Sequence, residues 1–167
     1  MLGENEVLEL MDERGMAYVR HEHEAVFTVE AAEALGLPHE GPHWSVPCKN
    51  LFLRDDKKRA YFLVTAPDHK RVDLRALSAR IPSRRLSFAS ESDLGAMLGL
   101  IAGAVTPLGI LNDEARRVTM VFDEELKGRW IDAHPLTNTA TVQLAASDVE
   151  ALVREHGNEV IWRDTGA

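Results

Sequence analysis

Cysteine is nearly absent: the single Cys48 excludes an internal disulfide framework and any metal cage built on cysteine alone. As a small buried hydrophobe it needs no function. No stretch approaches the ~20 consecutive apolar residues of a membrane span. The N-terminal segment, with Glu4, Glu6 and Glu9, has neither the positive charge nor the apolar run of a secretory leader. A cytoplasmic protein with no membrane partner is the expectation. At 167 residues, with 45% hydrophobic and 28% charged residues, the chain reads as one globular domain spanning residues 1–167.

Positive charge is also in deficit. Nineteen Lys and Arg face 27 Asp and Glu, a formal net charge of -8, which by itself argues against a polyanionic partner. The average conceals an island. Between residues 57 and 85 lie nine basic residues (Lys57, Lys58, Arg59, Lys70, Arg71, Arg75, Arg80, Arg84 and Arg85) against Asp68 and Asp73. Such an island is either a solvated hairpin tip and helix face, or a small contact area for a polyanion that the acidic body otherwise repels.

Hydrophobic periodicity and punctuation predict an α+β domain with a mixed, mainly antiparallel sheet flanked by helices. A first helix is expected over 4–14, stopped by Gly15, followed by a strand over 17–21. Thr28 caps a helix over 29–35 that ends at Gly36, and 37–47 is a loop with three prolines and two histidines. Strands over 50–54 and 60–65 form a hairpin around Asp55-Asp56-Lys57-Lys58. Asp73 and Ser90 cap two further helices, the second ending at Gly99. Strands are expected over 118–122, 130–134 and 139–144. Ser147-x-x-Glu150 reads as a capping box for a helix to His156, closed by Gly157, before a strand over 159–162.

Lys49 is the most informative residue. In Val46-Pro47-Cys48-Lys49-Asn50-Leu51-Phe52-Leu53, Lys49 shares a strand face with Leu51 and Leu53, and Asn50 shares the other with Cys48 and Phe52. An unpaired buried ammonium is costly, so either the strand starts late and Lys49 is solvated, or Lys49 faces a polar site. Two other polar tracts could converge on it. Gly103-Ala104-Val105-Thr106-Pro107-Leu108-Gly109 lacks the endings of nucleotide-binding loops, but its glycines permit consecutive N–H groups to point at one acceptor, or simply a tight turn. His134, before Pro135 at a strand end, is a hydrogen-bonding imidazole or a capping histidine. His21-x-His23 offers two ring ligands on one strand face and no clear third. A Cys48-His43 or Cys48-His134 hydrolase lacks a recognisable nucleophile context.

Taken together and in order, Cys48-Lys49-Asn50-Leu51-Phe52-Leu53, Leu86-Ser87-Phe88-Ala89, Gly103 to Gly109 and His134-Pro135-x-x-Asn138-Thr139-Ala140-Thr141 resemble the YbaK/INS-like aminoacyl-tRNA deacylases. The free-standing alanyl branch, ProXp-ala or PrdX, is the nearest likeness, and it covers almost the whole chain. The resemblance implies a single editing domain that hydrolyses Ala-tRNA(Pro) in trans and spares Pro-tRNA(Pro), with no cofactor and no metal. It implies that Lys49, Gly103 and Thr106 serve catalysis; from the chemistry of lysine itself, Lys49 is expected to act as a point charge and not a base. Asn50, Val26, Phe27, Ala104, Val105, Pro107 and His134 would contact the acyl group or terminal adenosine. Arg80, Arg84 and Arg85 would approach the tRNA(Pro) acceptor stem.

Size supplies the logic. A proline-sized synthetic pocket cannot exclude alanine, since each missing methylene is worth only ~1–3 kcal/mol, whereas a second, smaller pocket can exclude proline. A sister deacylase for Cys-tRNA(Pro) or Ser- and Thr-charged tRNA, and a non-catalytic aminoacyl-tRNA binding module, are the competing readings. A monomer is expected, with transient contact to prolyl-tRNA synthetase or an elongation factor as a further possibility of the family.

Overall fold

A computed structural model describes residues 1–38 and 44–167. The predicted loop over 37–47 therefore falls partly outside the described residues, as does His43 of the Cys48-His43 pair. Among the described residues no helix is long and apolar enough to cross a membrane.

The first helix, α1 (Glu4–Glu13), buries Val7 and Met11, one turn apart, and Gly15 ends it at φ 65°. Strand β1 (Tyr18–Glu22) and helix α2 (Val29–Ala34) follow, the latter capped where Thr28 Oγ1 accepts from Ala31 N at 3.0 Å. A two-residue strand, β2 (Ser45–Val46), precedes β3 (Cys48–Asp55), which begins two residues earlier than its sequence pattern suggests and so includes Lys49. The hairpin to β4 (Tyr61–Pro67) turns on Asp55, whose carboxylate accepts from Arg59 N at 2.8 Å. Helix α3 (Leu74–Arg80) is capped by Asp73 and α4 (Glu91–Leu98) by Ser90, with Gly99 left-handed at its end. Between them the segment 81–89 contains a strand the sequence pattern misses, β5 (Leu86–Phe88).

Strands β6 (Val118–Asp123), β7 (Trp130–Ala133) and β8 (Ala140–Ala145) precede α5 (Ala146–His156) and β9 (Val160–Arg163). The Ser147-Glu150 capping box does not form. Ala145 is the N-cap without a side-chain bond, because β8 runs directly into the helix and Ala146 N is satisfied by Arg129 O at 2.9 Å. The Glu150 carboxylate instead binds Arg154 and the Trp162 indole.

The α+β class is as expected, but the strands divide into two sheets where one was expected: β1-β8-β7-β2 and β5-β3-β4-β6-β9. Antiparallel pairing joins β1–β8, β8–β7, β3–β4 and β3–β5, and parallel pairing joins β2–β7, β4–β6 and β6–β9. The five-stranded sheet is covered on both faces. Phe52, Leu63, Met120 and Phe122 pack with α1, α4, α5 and the second sheet, while Leu53, Phe62, Val64 and Val121 pack with Leu77 and Ile81 around α3. Lys49 lies on the α3-side face by its parity with Leu51 and Leu53, and Asn50 lies on the other. Both sit at the strand's first turn of pleat, beyond the packed core.

Candidate active site

That end of β3 opens into a cleft of about 490 Å³, within the range of small-ligand sites. Its walls are α2 with Phe27 and Thr28, the start of β3 at Cys48, Lys49 and Asn50, Gly103 and Val105, and Asp132, Ala133 and His134 from the end of β7. Three tracts far apart in sequence thus meet, as their polarity suggested. Among the described residues no carboxylate pairs with Lys49, which is half-buried in the wall. Asn50 is fixed by the strand next to it: Thr65 Oγ1 donates to Asn50 Oδ1 at 2.5 Å, which leaves the amide nitrogen as the donor available to the cleft.

His134 is held by its own turn. Its Nδ1 lies 3.0 Å from Ala140 O, an acceptor only, so Nδ1 carries the proton and Nε2 offers a lone pair. Burial lowers the imidazole's pKa below its ordinary value, outweighing the opposing bond to Ala140, and the nearby His23 ring adds to the lowering. His134 is therefore neutral at pH 7. His23 and His21, the pair weighed as metal ligands, hydrogen bond to Thr141 Oγ1 at 2.8 Å and Gln143 Oε1 at 2.9 Å.

The glycine loop is clamped from two sides. Thr106 is fully buried and its hydroxyl donates to His134 O at 2.6 Å while accepting from Leu108 N, so this side chain positions the loop against His134 and does not face the cleft. Pro107 starts a buried 3-10 turn over Pro107–Asn112, and Ala104 is likewise buried away from the cleft. On the other side, a Cβ built at Gly103, whose φ is 82°, would lie 2.6 Å from Phe27 O. Only glycine allows Phe27 to rest there. Val26 is buried, outside the cleft lining, and sets Phe27 by exchanging bonds with Asn138 in the β7–β8 turn. The turn, the 26–27 segment and the glycine loop thus form one closed ring of contacts around His134.

The expectation of consecutive loop amides aimed at one acceptor needs correction. Ala104 N closes a turn on Ile101 O at 3.1 Å, so it is the alternate amides of Gly103 and Val105 that have no acceptor among the described residues. Gly103→Ala is expected to lower kcat/KM about 10²-fold, because a Cβ must displace the Phe27 backbone and shift the cleft wall. A left-handed alanine adds roughly 1–3 kcal/mol of strain. Steady-state kinetics beside a thermal melt checks this, and wild-type activity would contradict it.

Cys48 is not a poised nucleophile. Burial pushes its thiol well above the ordinary range, the charges of Asp132 and Asp68 add to this, and Sγ donates to Val46 O at 3.2 Å. Sequence reading missed a second polar feature of the cleft: Glu33, Asp68 and His69, whose ligand atoms lie within 4.8 Å of one another. Nothing in their spacing signals it, since Glu33 comes from α2 and the others from the end of β4.

The basic island lies elsewhere. From Lys49 to Asp55 the strand runs six residues, about 20 Å, to the hairpin tip carrying Lys57, Lys58 and Arg59. Arg84 forms a two-bond pair with Asp56 at 2.5 and 2.9 Å, and Arg85 beside it is exposed. Arg80 is turned inward onto the backbone carbonyls of Asp164 and Gly166.

A sequence profile described as Aminoacyl-tRNA editing domain matches residues 23–152. The chain is 43% identical over 153 residues to the prolyl-tRNA editing protein ProX of Acetoanaerobium sticklandii, covering 91% of each. It is 39% identical over 137 residues to prolyl-tRNA synthetase associated domain-containing protein 1 of Danio rerio, covering 80% of this chain and 72% of that one. Its fold matches a crystal structure of a protein proposed to be a trans-editing enzyme for prolyl tRNA synthetase, with a TM-score of 0.68 at 21% identity over 100% of this chain and 99% of that one.

Proposed function

This chain belongs to the aminoacyl-tRNA editing domain family, and from that premise we propose that it hydrolyses Ala-tRNA(Pro) to alanine and free tRNA(Pro) while sparing Pro-tRNA(Pro). The observation that carries the reading is Lys49, a cation without an ion-pair partner among the described residues, in the wall of a cleft also lined by Gly103 and Val105. Such an arrangement suits a reaction in which negative charge develops on an ester oxygen. The names of the relatives, a prolyl-tRNA editing protein among them, support tRNA(Pro) as the substrate's carrier.

In this reaction the alanyl ester carbonyl lies against the two loop amides, with Lys49 as a fixed positive charge near that oxygen or the terminal phosphate. Water attacks the carbonyl carbon, the tetrahedral oxyanion collapses, the bond to the ribose oxygen breaks, and that oxygen leaves with a proton. Neutral His134, through Nε2, accepts a hydrogen bond from the terminal ribose. Phe27, resting on Gly103, and Val105 and Ala133 narrow the acyl end, so that the methyl of alanine fits and the proline ring does not. The exposed cations Lys57, Lys58, Arg59 and Arg85 attract the acceptor stem, and Arg80, engaged within the chain, holds the C-terminal segment.

The test is a panel of tRNA(Pro) charged with alanine, proline, cysteine or serine, each followed by release of the labelled amino acid. Alanine is expected to be released fastest, with proline at least 10²-fold slower, the scale a methylene-sized misfit can impose. Preference for cysteine or serine would move the chain to a sister specificity, and binding without turnover of any ester would make it a binding module.

A further inference from the structure

One carboxylate in the cleft accepts no hydrogen bond among the described residues. Asp68 follows β4, and its N–H donates to Pro47 O at 2.9 Å, which extends the β3–β4 pairing one step past Cys48 and Pro67. In this register Asp68 shares a face with Ala66 and Lys49, as the diagonal neighbour of Lys49, roughly 7–8 Å away at the backbone. Its side chain is only 6% exposed. No hydrogen bond reaches its carboxylate among the described residues; the exposed His69 ring, with Nε2 at 3.5 Å, is a counter-ion only in its protonated form.

The contrast with the chain's other buried carboxylates is sharp. Asp123 is held by Lys70 and Thr165, and Asp132, in the same cleft, accepts from Ser45 Oγ at 2.5 Å. A carboxylate that no hydrogen-bond donor occupies keeps its acceptor capacity for a cationic ligand in the cleft. Lys49, its diagonal neighbour on the same face, supplies the opposite charge in the same cleft wall. The cleft wall therefore carries a negative and a positive charge side by side, as an α-amino ester carries its ammonium beside its carbonyl oxygen.

Resting on the editing reading above, we propose that Asp68 is the receptor for the α-ammonium of the aminoacyl ester, so that the enzyme acts on free aminoacyl-tRNA and rejects esters whose nitrogen is acylated. Glu33, on the rim beside His69, adds a second negative charge at the same end. The site thereby selects an unblocked amino acid independently of side-chain size, a filter that the apolar acyl pocket cannot provide. Peptidyl and N-formylated tRNA esters are spared by the same contact.

The experiment compares Ala-tRNA(Pro) with N-acetyl-Ala-tRNA(Pro) for the wild-type protein, Asp68→Asn and Asp68→Glu, with thermal melts of all three. Wild type is expected to prefer the free ester by about 10²-fold. Asp68→Asn should lower kcat/KM on the free ester about 10–100-fold, the scale of a charge-assisted hydrogen bond, and leave the acetylated ester unchanged. Asp68→Glu should recover part of the loss. Equal wild-type turnover of both esters, or an equal loss on both in Asp68→Asn, overturns the proposal while leaving the editing reading intact. Loss of wild-type turnover on chelation, restored by zinc, overturns it by making Glu33, Asp68 and His69 a metal site. No turnover of any aminoacyl ester overturns both readings.

Discussion

Lys49→Ala is expected to lower kcat/KM on Ala-tRNA(Pro) about 10²–10³-fold, the cost of removing one preorganised group that stabilises developing negative charge. Its melting temperature is expected to stay within about 2 °C of wild type. The two expectations have one cause. No carboxylate pairs with the ammonium among the described residues, so the fold loses no ion pair when it is removed. Single-turnover kinetics with a melt separates this from simple unfolding. Lys49→Arg should recover little, because a planar fork cannot occupy the place of a compact point charge. Wild-type turnover in Lys49→Ala would remove Lys49 from the chemistry.

Lys70→Met should have the opposite profile, large in stability and small in catalysis. Lys70 Nζ lies 2.9 Å from Asp123, 2.6 Å from Glu125 and 2.8 Å from Asp164. Burial works against its charge, but the hydrogen bonds it donates to the three carboxylates win and raise its pKa above the ordinary value. Asp123 is fully buried; burial would raise its pKa, but bonds from Thr165 and Lys70 hold it below the usual 3.8. Removing Lys70 leaves that charge uncompensated, a cost of roughly 3 kcal/mol or more, or about 6–12 °C for a chain of this size.

The pH dependence follows from the signs. The Lys70 contribution is complete below its unfolded value of 10.5 and is lost as pH rises through the higher folded value. The Asp123 contribution is complete above 3.8 and is lost as pH falls through the lower folded value. The difference between wild type and Lys70→Met is therefore largest near neutrality and shrinks in acid. There the variant gains by protonating Asp123, and wild type loses below pH 3.8. Urea unfolding across pH checks this, and a difference that grows in acid would contradict it.

Much of this was legible in the sequence for local reasons. Thr28, Asp73 and Ser90 cap helices because short polar side chains satisfy first-turn amides wherever they fall, and Gly15 and Gly99 stop helices because they alone enter the left-handed region without strain. Ser147 shows the limit, since a strand leading straight into α5 left no turn for it to cap. The division into two sheets was not legible, because it depends on long-range pairings such as Ser45 of β2 with Trp130 of β7 and Tyr18 of β1 with Leu144 of β8. Strands β2 and β5, of two and three residues, are too short to carry a period.

The same distinction holds for the cleft. Lys49, Gly103 and His134 stood out because each breaks the pattern of its own segment. Asp68 did not, because an aspartate after a strand is ordinary until the fold buries its side chain in the cleft. Nor could spacing show that Thr106 faces His134 O and not the cleft, or that Val26 acts through Phe27. Those roles come from contacts between segments more than 20 residues apart.

The most direct measurement is the two-dimensional amide and side-chain NMR footprint of the non-hydrolysable amide of alanine with 3'-amino-3'-deoxyadenosine. It carries the aminoacyl end alone and cannot turn over. The expected result is saturable shifts at Gly103, Val105, Asn50 and the His134 ring, with the Lys49 ammonium affected and the hairpin tip at Lys57 and Lys58 unmoved. Shifts confined to other surfaces, or none at concentrations that inhibit deacylation, would contradict the assignment of this cleft as the editing site.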